Sequence, residues 1–111
     1  MRKAGRIDKT QHAVVEEFRK YAGVKVCITS SVGDGFPDLM VRIDDAIYLI
    51  ELKSSPKKSL TAKQVEFIKK FGGRFYRLDG PQHVQAFVKW DDGDRWANYG
   101  IDLGQEGLSH G

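Results

Sequence analysis

The sequence predicts an α/β fold, a mixed central sheet flanked by helices in the order α-β-β-β-α-β-α. Two observations favour this fold. Apolar residues recur at helical spacing in residues 10–22 and 62–71, whereas residues 24–29 and 39–52 are rich in the β-branched and apolar residues typical of strands. The chain has 111 residues, of which 41% are apolar and 30% charged, and this size and composition indicate a globular domain.

The first helix and the first strand are separated by a glycine. Gly23 ends the helix predicted over residues 10–22. Residues 24–29 form the first strand, and Cys27 on this apolar strand is expected to be a core residue. Residues 30–36 then form a loop with two glycines.

Two further strands are predicted to form a hairpin. Asp44 and Asp45 are placed as its two-residue loop, between strands at residues 39–43 and 46–52. Because residues 46–50 are almost wholly apolar, we expect this strand to be covered on both faces.

The second helix has a strong start signal. Thr61 is a good N-cap for a helix over residues 62–71, and Gln64 stands where the partner residue of a capping box belongs. Two glycines end this helix, a strand follows at residues 74–78, and residues 81–88 predict a short helix.

The charges are distributed unevenly. Residues 91–111 contain one arginine and five acidic residues, a balance of −4, so the first ninety residues carry +7 to give the net charge of +3. A basic body favours a polyanionic partner, although a solvated basic surface explains the charge equally well. We divide the chain into a domain of residues 1–90 and an acidic C-terminal tail of residues 91–111, which packs on the body or on a second subunit.

The composition argues against several classes of protein. No apolar run reaches the roughly 18–20 residues that a membrane-spanning helix needs, and the basic N-terminus lacks the apolar segment of a secretory signal. A single cysteine is consistent with a reducing compartment, so we expect a cytoplasmic protein. One cysteine and three histidines also argue against a structural zinc site.

The hairpin places chemically active residues together. With Asp44 and Asp45 as the loop, Asp38 falls directly opposite Glu51, and strand alternation puts Lys53 on the same face as Glu51. Facing carboxylates are destabilising unless a proton or a cation intervenes, and oxygen ligands suit magnesium or manganese. Lys53 is then placed to orient or deprotonate a water that the cation activates, as phosphodiester hydrolysis requires. The alternative is an ordinary strand end with a surface ion pair.

These residues resemble the motif of a known nuclease superfamily. Pro37-Asp38, twelve intervening residues and Glu51-Leu52-Lys53 match the P-D … (D/E)-x-K pattern of the PD-(D/E)XK nucleases. More narrowly, the chain resembles the virus-type replication-repair nuclease (VRR-Nuc) domain in its small stand-alone phage form. The segments that carry this resemblance are residues 6–11, 32–39, 48–53 and 60–64.

The resemblance implies a restriction-endonuclease-like core and a set of site residues. Asp38 and Glu51 would be metal ligands together with the Leu52 backbone carbonyl, and Lys53 would be the catalytic lysine. Gln64 would be a supporting catalytic residue, although its place in the capping box is by itself enough to explain it.

One position departs from the superfamily. Many relatives carry a further acidic residue on the first helix, and the equivalent place here falls near Gln11 or His12. We therefore expect one Mg²⁺ or Mn²⁺ ion rather than two, with Gln11 as a candidate supporting residue.

The resemblance further implies a metal-dependent DNA endonuclease. It would act as a homodimer on branched DNA such as four-way (Holliday) junctions, in the host-cell cytoplasm if the chain is phage-encoded. Ser31, Lys57 and Lys58 are candidate DNA contacts, but a plain connector and a solvated loop are equally good interpretations. The competing function is a non-catalytic DNA-binding or packaging accessory protein on a nuclease-like fold.

Overall fold

The computed structural model describes residues 9–103. Residues 6–8 of the nuclease-like pattern and residues 104–111 of the predicted tail lie outside the described residues. The helices and strands are α1 (Lys9–Phe18), β1 (Val24–Ile28), β2 (Leu39–Ile43), β3 (Ala46–Leu52), α2 (Ala62–Phe71), β4 (Phe75–Leu78), α3 (Val84–Lys89), which a 3-10 turn at Pro81–His83 precedes, and α4 (Asp92–Tyr99). Within the described part of the chain, no helix has the length and apolar character needed to cross a membrane.

Within residues 9–103 the four strands form one mixed sheet in the order β1-β2-β3-β4. β1, β2 and β3 are antiparallel neighbours, and β4 runs parallel to β3. A parallel pair needs a crossover connection, which α2 supplies between β3 and β4. The predicted α/β fold with a mixed sheet and flanking helices is confirmed.

One face of the sheet packs against α1 and α3. Its core includes Val41 of β2 and Ile50 of β3, both fully buried. Phe18 of α1 and Phe87 of α3 are also fully buried, and their rings meet edge to face with 6.2 Å between centroids. This face therefore holds the larger core.

The opposite face of the sheet is covered by α2. Ile68 of α2 and Phe75 of β4 form a second core, against which Leu49 of β3 and Phe67 of α2 are partly buried. Because side chains alternate along a strand, Glu51 shares this face with Leu49. Glu51 is thereby placed under α2.

The cover over this second face is incomplete, which overturns two predictions. Cys27 is exposed rather than a core residue, and Ile47 at the start of β3 is 57% exposed. A helix of ten residues spans about 15 Å, so α2 covers β4 and the end of β3 but leaves β1 and the hairpin end open. The prediction that residues 46–50 are covered on both faces is therefore wrong at Ile47.

α1 is shorter than predicted and ends at Phe18. The following residues form 3-10-type turns: Lys20 N–H donates to the Glu17 carbonyl and Tyr21 N–H donates to the Phe18 carbonyl, each at 3.2 Å. These bonds span three residues instead of four, so the helical stripe continues into a turn before the first strand.

α4 lies in the segment predicted to be an acidic C-terminal tail, for which the sequence predicts no helix. Asp91 caps it by accepting the Asp94 N–H at 2.8 Å. Arg95 is buried and donates to the carbonyls of Phe87 at 2.6 Å and Val88 at 2.9 Å. Residues 91–101 therefore pack on the body of the same chain. The sequence does not reveal this helix because its central buried residue is an arginine.

Candidate functional site

The hairpin register brings Asp38 opposite Glu51. The two strands pair from the Asp44-Asp45 loop to Leu39 with Ile50, in the register that the sequence predicts. Asp38 and Glu51 are the next positions along this ladder, so their side chains lie close together on one face of the sheet. This face is the one that α2 covers.

β2 turns away from β3 immediately before Asp38. Pro37 has no backbone N–H, and its carbonyl accepts a hydrogen bond from Thr29 Oγ1 at 2.8 Å. The Leu52 N–H, which would face residue 37 in a continued ladder, instead donates to Asp38 Oδ2 at 2.9 Å. The Asp38 carboxylate is therefore held in the fork where the two strands separate.

The same hydrogen bond defines where the Leu52 carbonyl points. In an extended strand the N–H and the C=O of one residue are directed to the same side. Since the Leu52 N–H is directed to Asp38, the Leu52 carbonyl faces the same fork. Two carboxylates and one backbone carbonyl are thus brought to one place.

Lys53 and Gln64 complete a hydrogen-bonded group with Glu51. Lys53 Nζ lies 3.7 Å from Glu51 Oε2 and donates to Gln64 Oε1 at 2.9 Å. Gln64 Nε2 donates to Glu51 Oε2 at 2.5 Å. The Glu51 and Lys53 side chains are 6% and 12% exposed, so this is a buried group and not a surface ion pair.

Gln64 joins this group to the start of α2. Its Oε1 also accepts the Thr61 N–H at 2.8 Å, while Thr61 Oγ1 accepts the Gln64 N–H at 3.2 Å. The predicted capping box is confirmed, and the same amide contacts both Glu51 and Lys53. The two interpretations of Gln64 are therefore compatible, because the cap positions the side chain over the site.

The electrostatics of the site are dominated by the facing acids. Burial first, and then the negative charge of Asp38, raise the pKa of Glu51 from its ordinary 4.5 to about 8, against the opposing charge of Lys53. Without a cation, the Glu51 carboxyl therefore holds a proton at neutral pH.

The donor set fits one hard divalent cation. Carboxylate and carbonyl oxygens are the ligands that Mg²⁺ and Mn²⁺ prefer, and a positive ion would offset the causes that raise the pKa of Glu51. No group of three or more His, Cys, Asp or Glu side chains suited to a metal ion occurs in residues 9–103. On the present donor set, the protein ligands would be Asp38, Glu51 and the Leu52 carbonyl.

The glycine-rich loop braces α2 against this fork. Gly35 has a φ of +85°, and a Cβ built on it would lie 2.2 Å from the Lys63 carbonyl oxygen and 3.1 Å from the Gln64 nitrogen. Only a residue without a side chain allows the loop to approach the first turn of α2 so closely. The sequence predicts a loop with two glycines here, with no signal of this contact.

Arg77 is a further residue that the sequence does not single out. It pairs with Glu51 across the parallel strands β3 and β4. Its guanidinium forms an ion pair with Asp79, with Nε 2.7 Å from Oδ1, and donates to the Ser55 carbonyl at 2.9 Å. Arg77 thereby holds the loop that follows Lys53.

The candidate DNA contacts and Gln11 occupy different environments. Ser31, Lys57 and Lys58 are exposed in the loops that flank the site, before Asp38 and after Lys53 respectively. These positions leave them accessible to a large ligand. Gln11 is buried on α1 and 6% exposed. Its supporting role stays a prediction.

Comparisons of the chain with protein-family models, with curated proteins and with solved structures found no match.

Proposed function

We propose that this chain is a divalent-metal-dependent endonuclease that hydrolyses phosphodiester bonds in DNA, on a core of the PD-(D/E)XK type. One observation carries the proposal. At a strand fork, the buried Glu51 faces the Asp38 carboxylate and contacts a lysine and a glutamine. A protein that only binds DNA has no need of a buried acid whose pKa is raised by burial and by a facing carboxylate.

The residues of the site divide the chemistry between them. A divalent cation held by Asp38, Glu51 and the Leu52 carbonyl would supply a Lewis acid for the phosphate and lower the pKa of a water. Lys53 presents an ammonium group beside the carboxylates, where it stabilises negative charge developing on the phosphate. Gln64 orients Lys53 through Oε1 and Glu51 through Nε2.

The architecture supports this type of core. The order α-β-β-β-α-β and the mixed sheet agree with what the resemblance to VRR-Nuc domains implies. The motif residues also come together at the end of the hairpin. Membership of that family is part of the proposal.

The proposed substrate is DNA, and branched DNA such as a four-way junction in particular. The first ninety residues carry a net charge of +7, and exposed Lys57 and Lys58 follow Lys53 along the chain. Lysines so placed can neutralise phosphates next to the scissile bond. A homodimer with one ion per subunit would place two such sites for paired nicks, in the cytoplasm of the host cell.

Metal-dependent cleavage tests the proposal. Purified protein is incubated with four-way junction, flapped and linear duplex DNA in Mg²⁺ or Mn²⁺, beside Asp38→Asn. Asparagine keeps an acceptor for the Leu52 N–H but removes the charge, so the fold should persist while cleavage is lost. Asp45→Asn in the hairpin loop is the matched control, because that side chain is fully exposed.

The possible outcomes separate the two functions. Cleavage by the native chain and Asp45→Asn, but not by Asp38→Asn, supports the nuclease. Equal cleavage by all three proteins would refute the assigned site. Binding of DNA without cleavage of any substrate would favour the non-catalytic accessory protein. Anomalous density between Asp38 and Glu51 in manganese-soaked crystals tests the metal site independently.

A further inference from the structure

A cavity of about 450 Å³ lies between the glycine-rich loop and the outer part of α2. Val32 and Phe36 line it from the loop, and Lys63, Phe67 and Phe71 line it from α2. Phe36 directly precedes Pro37-Asp38 in the chain, and Lys63 directly precedes Gln64. Both walls of the cavity therefore lead into the candidate hydrolytic site.

Phe67 and Phe71 form an aromatic wall of the cavity, and Phe67 anchors this wall to the core. Phe67 packs edge to face on buried Phe75, with 5.9 Å between ring centroids, and on Phe36 at 5.2 Å. Phe71 lies against Phe67 at 4.5 Å, with the two rings tilted by 31°. Phe71 is nevertheless 64% exposed. An aromatic face held in place by the core but open to solvent is suited to stacking on another ring.

Charged side chains of both signs surround this wall. Lys63 and Lys70 are exposed at the rim, and Lys70 Nζ lies 5.9 Å from the centre of the Phe71 ring. Asp34 and Glu66 also line the cavity. Ammonium groups bind phosphate, and carboxylates accept hydrogen bonds from the amino groups of bases. The cavity thus offers a partner for each chemical part of a nucleotide.

We propose that this cavity binds an unpaired nucleotide of a DNA branch or flap, with its base stacked on Phe71. The proposal rests on the proposed nuclease function and names the structural feature of DNA that the site would recognise. A base inside a duplex is already stacked on its neighbours and is not accessible to a protein ring, whereas an unpaired base in a single-stranded end or flap is free to enter. Binding there would place the adjoining backbone near Asp38.

A second copy of the chain is a poorer fit to this surface. A stable interface buries about 800 Å² on each partner and has an apolar centre. Here Val32 and Phe71 are the exposed large apolar side chains of the cavity, at 59% and 64%, and charges of mixed sign border them. A concave volume of this size is typical of a small ligand site.

Binding without cleavage tests the proposal separately from the nuclease reaction. The probe is a DNA hairpin with a short single-stranded overhang that carries 2-aminopurine, compared with a blunt hairpin, in Ca²⁺ so that no cleavage is needed. The variant is Phe71→Ala, and its matched control is Ile47→Ala. Ile47 is similarly exposed but lies at the hairpin end of β3, outside the cavity.

We expect the native chain to bind the overhang on the order of tenfold more tightly than the blunt hairpin, and to quench 2-aminopurine fluorescence. Phe71→Ala should lose this preference and the quenching but bind the blunt hairpin as before, while Ile47→Ala should match the native chain. Equal overhang binding by Phe71→Ala and native protein would overturn the proposal. So would sedimentation that shows a native dimer and a Phe71→Ala monomer, because the surface would then join two copies. If the native chain cleaves no DNA substrate in Mg²⁺ or Mn²⁺, the nuclease proposal is wrong. The binding assay in Ca²⁺ still tests the nucleotide site, because it does not depend on cleavage.

Discussion

Replacing Gly35 with alanine tests whether the glycine-rich loop determines the geometry of the candidate site. The new Cβ would lie 2.2 Å from the Lys63 carbonyl oxygen, and real Cβ atoms essentially never approach within 3.0 Å, so loop and helix must separate by about 0.8 Å or more. The first turn of α2 carries Gln64, whose amide orients Glu51 and Lys53. A displacement of about 1 Å at a reacting centre can cost roughly 100-fold in rate.

Gly33→Ala is the matched control for this substitution. Gly33 has a similar φ of +88°, but a Cβ there meets nothing within 4 Å. Both variants therefore carry the backbone strain of a side chain in the left-handed region, about 1–2 kcal/mol. Gly35→Ala alone adds the collision with the first turn of α2.

The assay measures the initial rate of Mg²⁺-dependent cleavage of one branched DNA, and urea unfolding of each variant. We expect Gly33→Ala to cleave within a few-fold of the native rate, and Gly35→Ala to be on the order of 100-fold slower and less stable than Gly33→Ala. Equal rates and equal unfolding free energies for the two variants would refute the bracing role. The stability comparison remains valid even if the chain is not a nuclease.

Three further predictions concern the site and its support. Because the pKa of Glu51 is about 8 when folded and 4.5 ordinarily, the native state binds more protons between those values and stability falls as pH rises through them. The free energy of unfolding is measured with urea in EDTA at pH 5 and at pH 8. It should be lower at pH 8 for the native chain, and Glu51→Gln should lose this difference. An equal difference in both proteins would contradict the raised pKa of Glu51. Thr61→Ala should lower the free energy of unfolding by about 1 kcal/mol through the lost cap. It should slow cleavage less than Gln64→Ala does, because Gln64 also contacts Glu51 and Lys53. If Thr61→Ala slows cleavage more, Gln64 acts as a capping residue alone. Arg95→Ala should destabilise by about 1–3 kcal/mol for each buried carbonyl left without its donor. The exposed Arg19→Ala is the control in thermal unfolding, and a similar loss of stability in both variants would contradict the role of Arg95 in holding α4.

The hairpin could be predicted because its signals are local. Two apolar segments with a two-residue polar connection allow one register that keeps Leu39 and Ile50 on the core side. That register is found from Ile43 and Ala46 to Leu39 and Ile50, and the Asp38 carboxylate interacts with Glu51 just beyond it. The capping box at Thr61 was equally accessible, since it depends on residues three positions apart.

The exposure of Cys27 and the helix α4 could not be predicted in the same way. An apolar strand does not reveal which of its faces a distant helix will cover, and α2 leaves Cys27 open. In α4 the buried central residue is Arg95, whose hydrogen bonds to carbonyls of α3 replace apolar contacts. Both outcomes depend on elements far away in the chain.

The sequence by itself determined the mixed α/β fold, the hairpin register and the meeting of Asp38 with Glu51, because strand alternation and turn length are local properties. Only the tertiary structure decided how that pair is completed. It packs α2 across the fork, gives Gln64 its contacts with Lys53 and Glu51, and buries Glu51 beside Asp38 so that the pKa of Glu51 rises. The close approach of Gly35 to α2 makes this possible, and it arises from the packing of two segments whose contact no local pattern encodes.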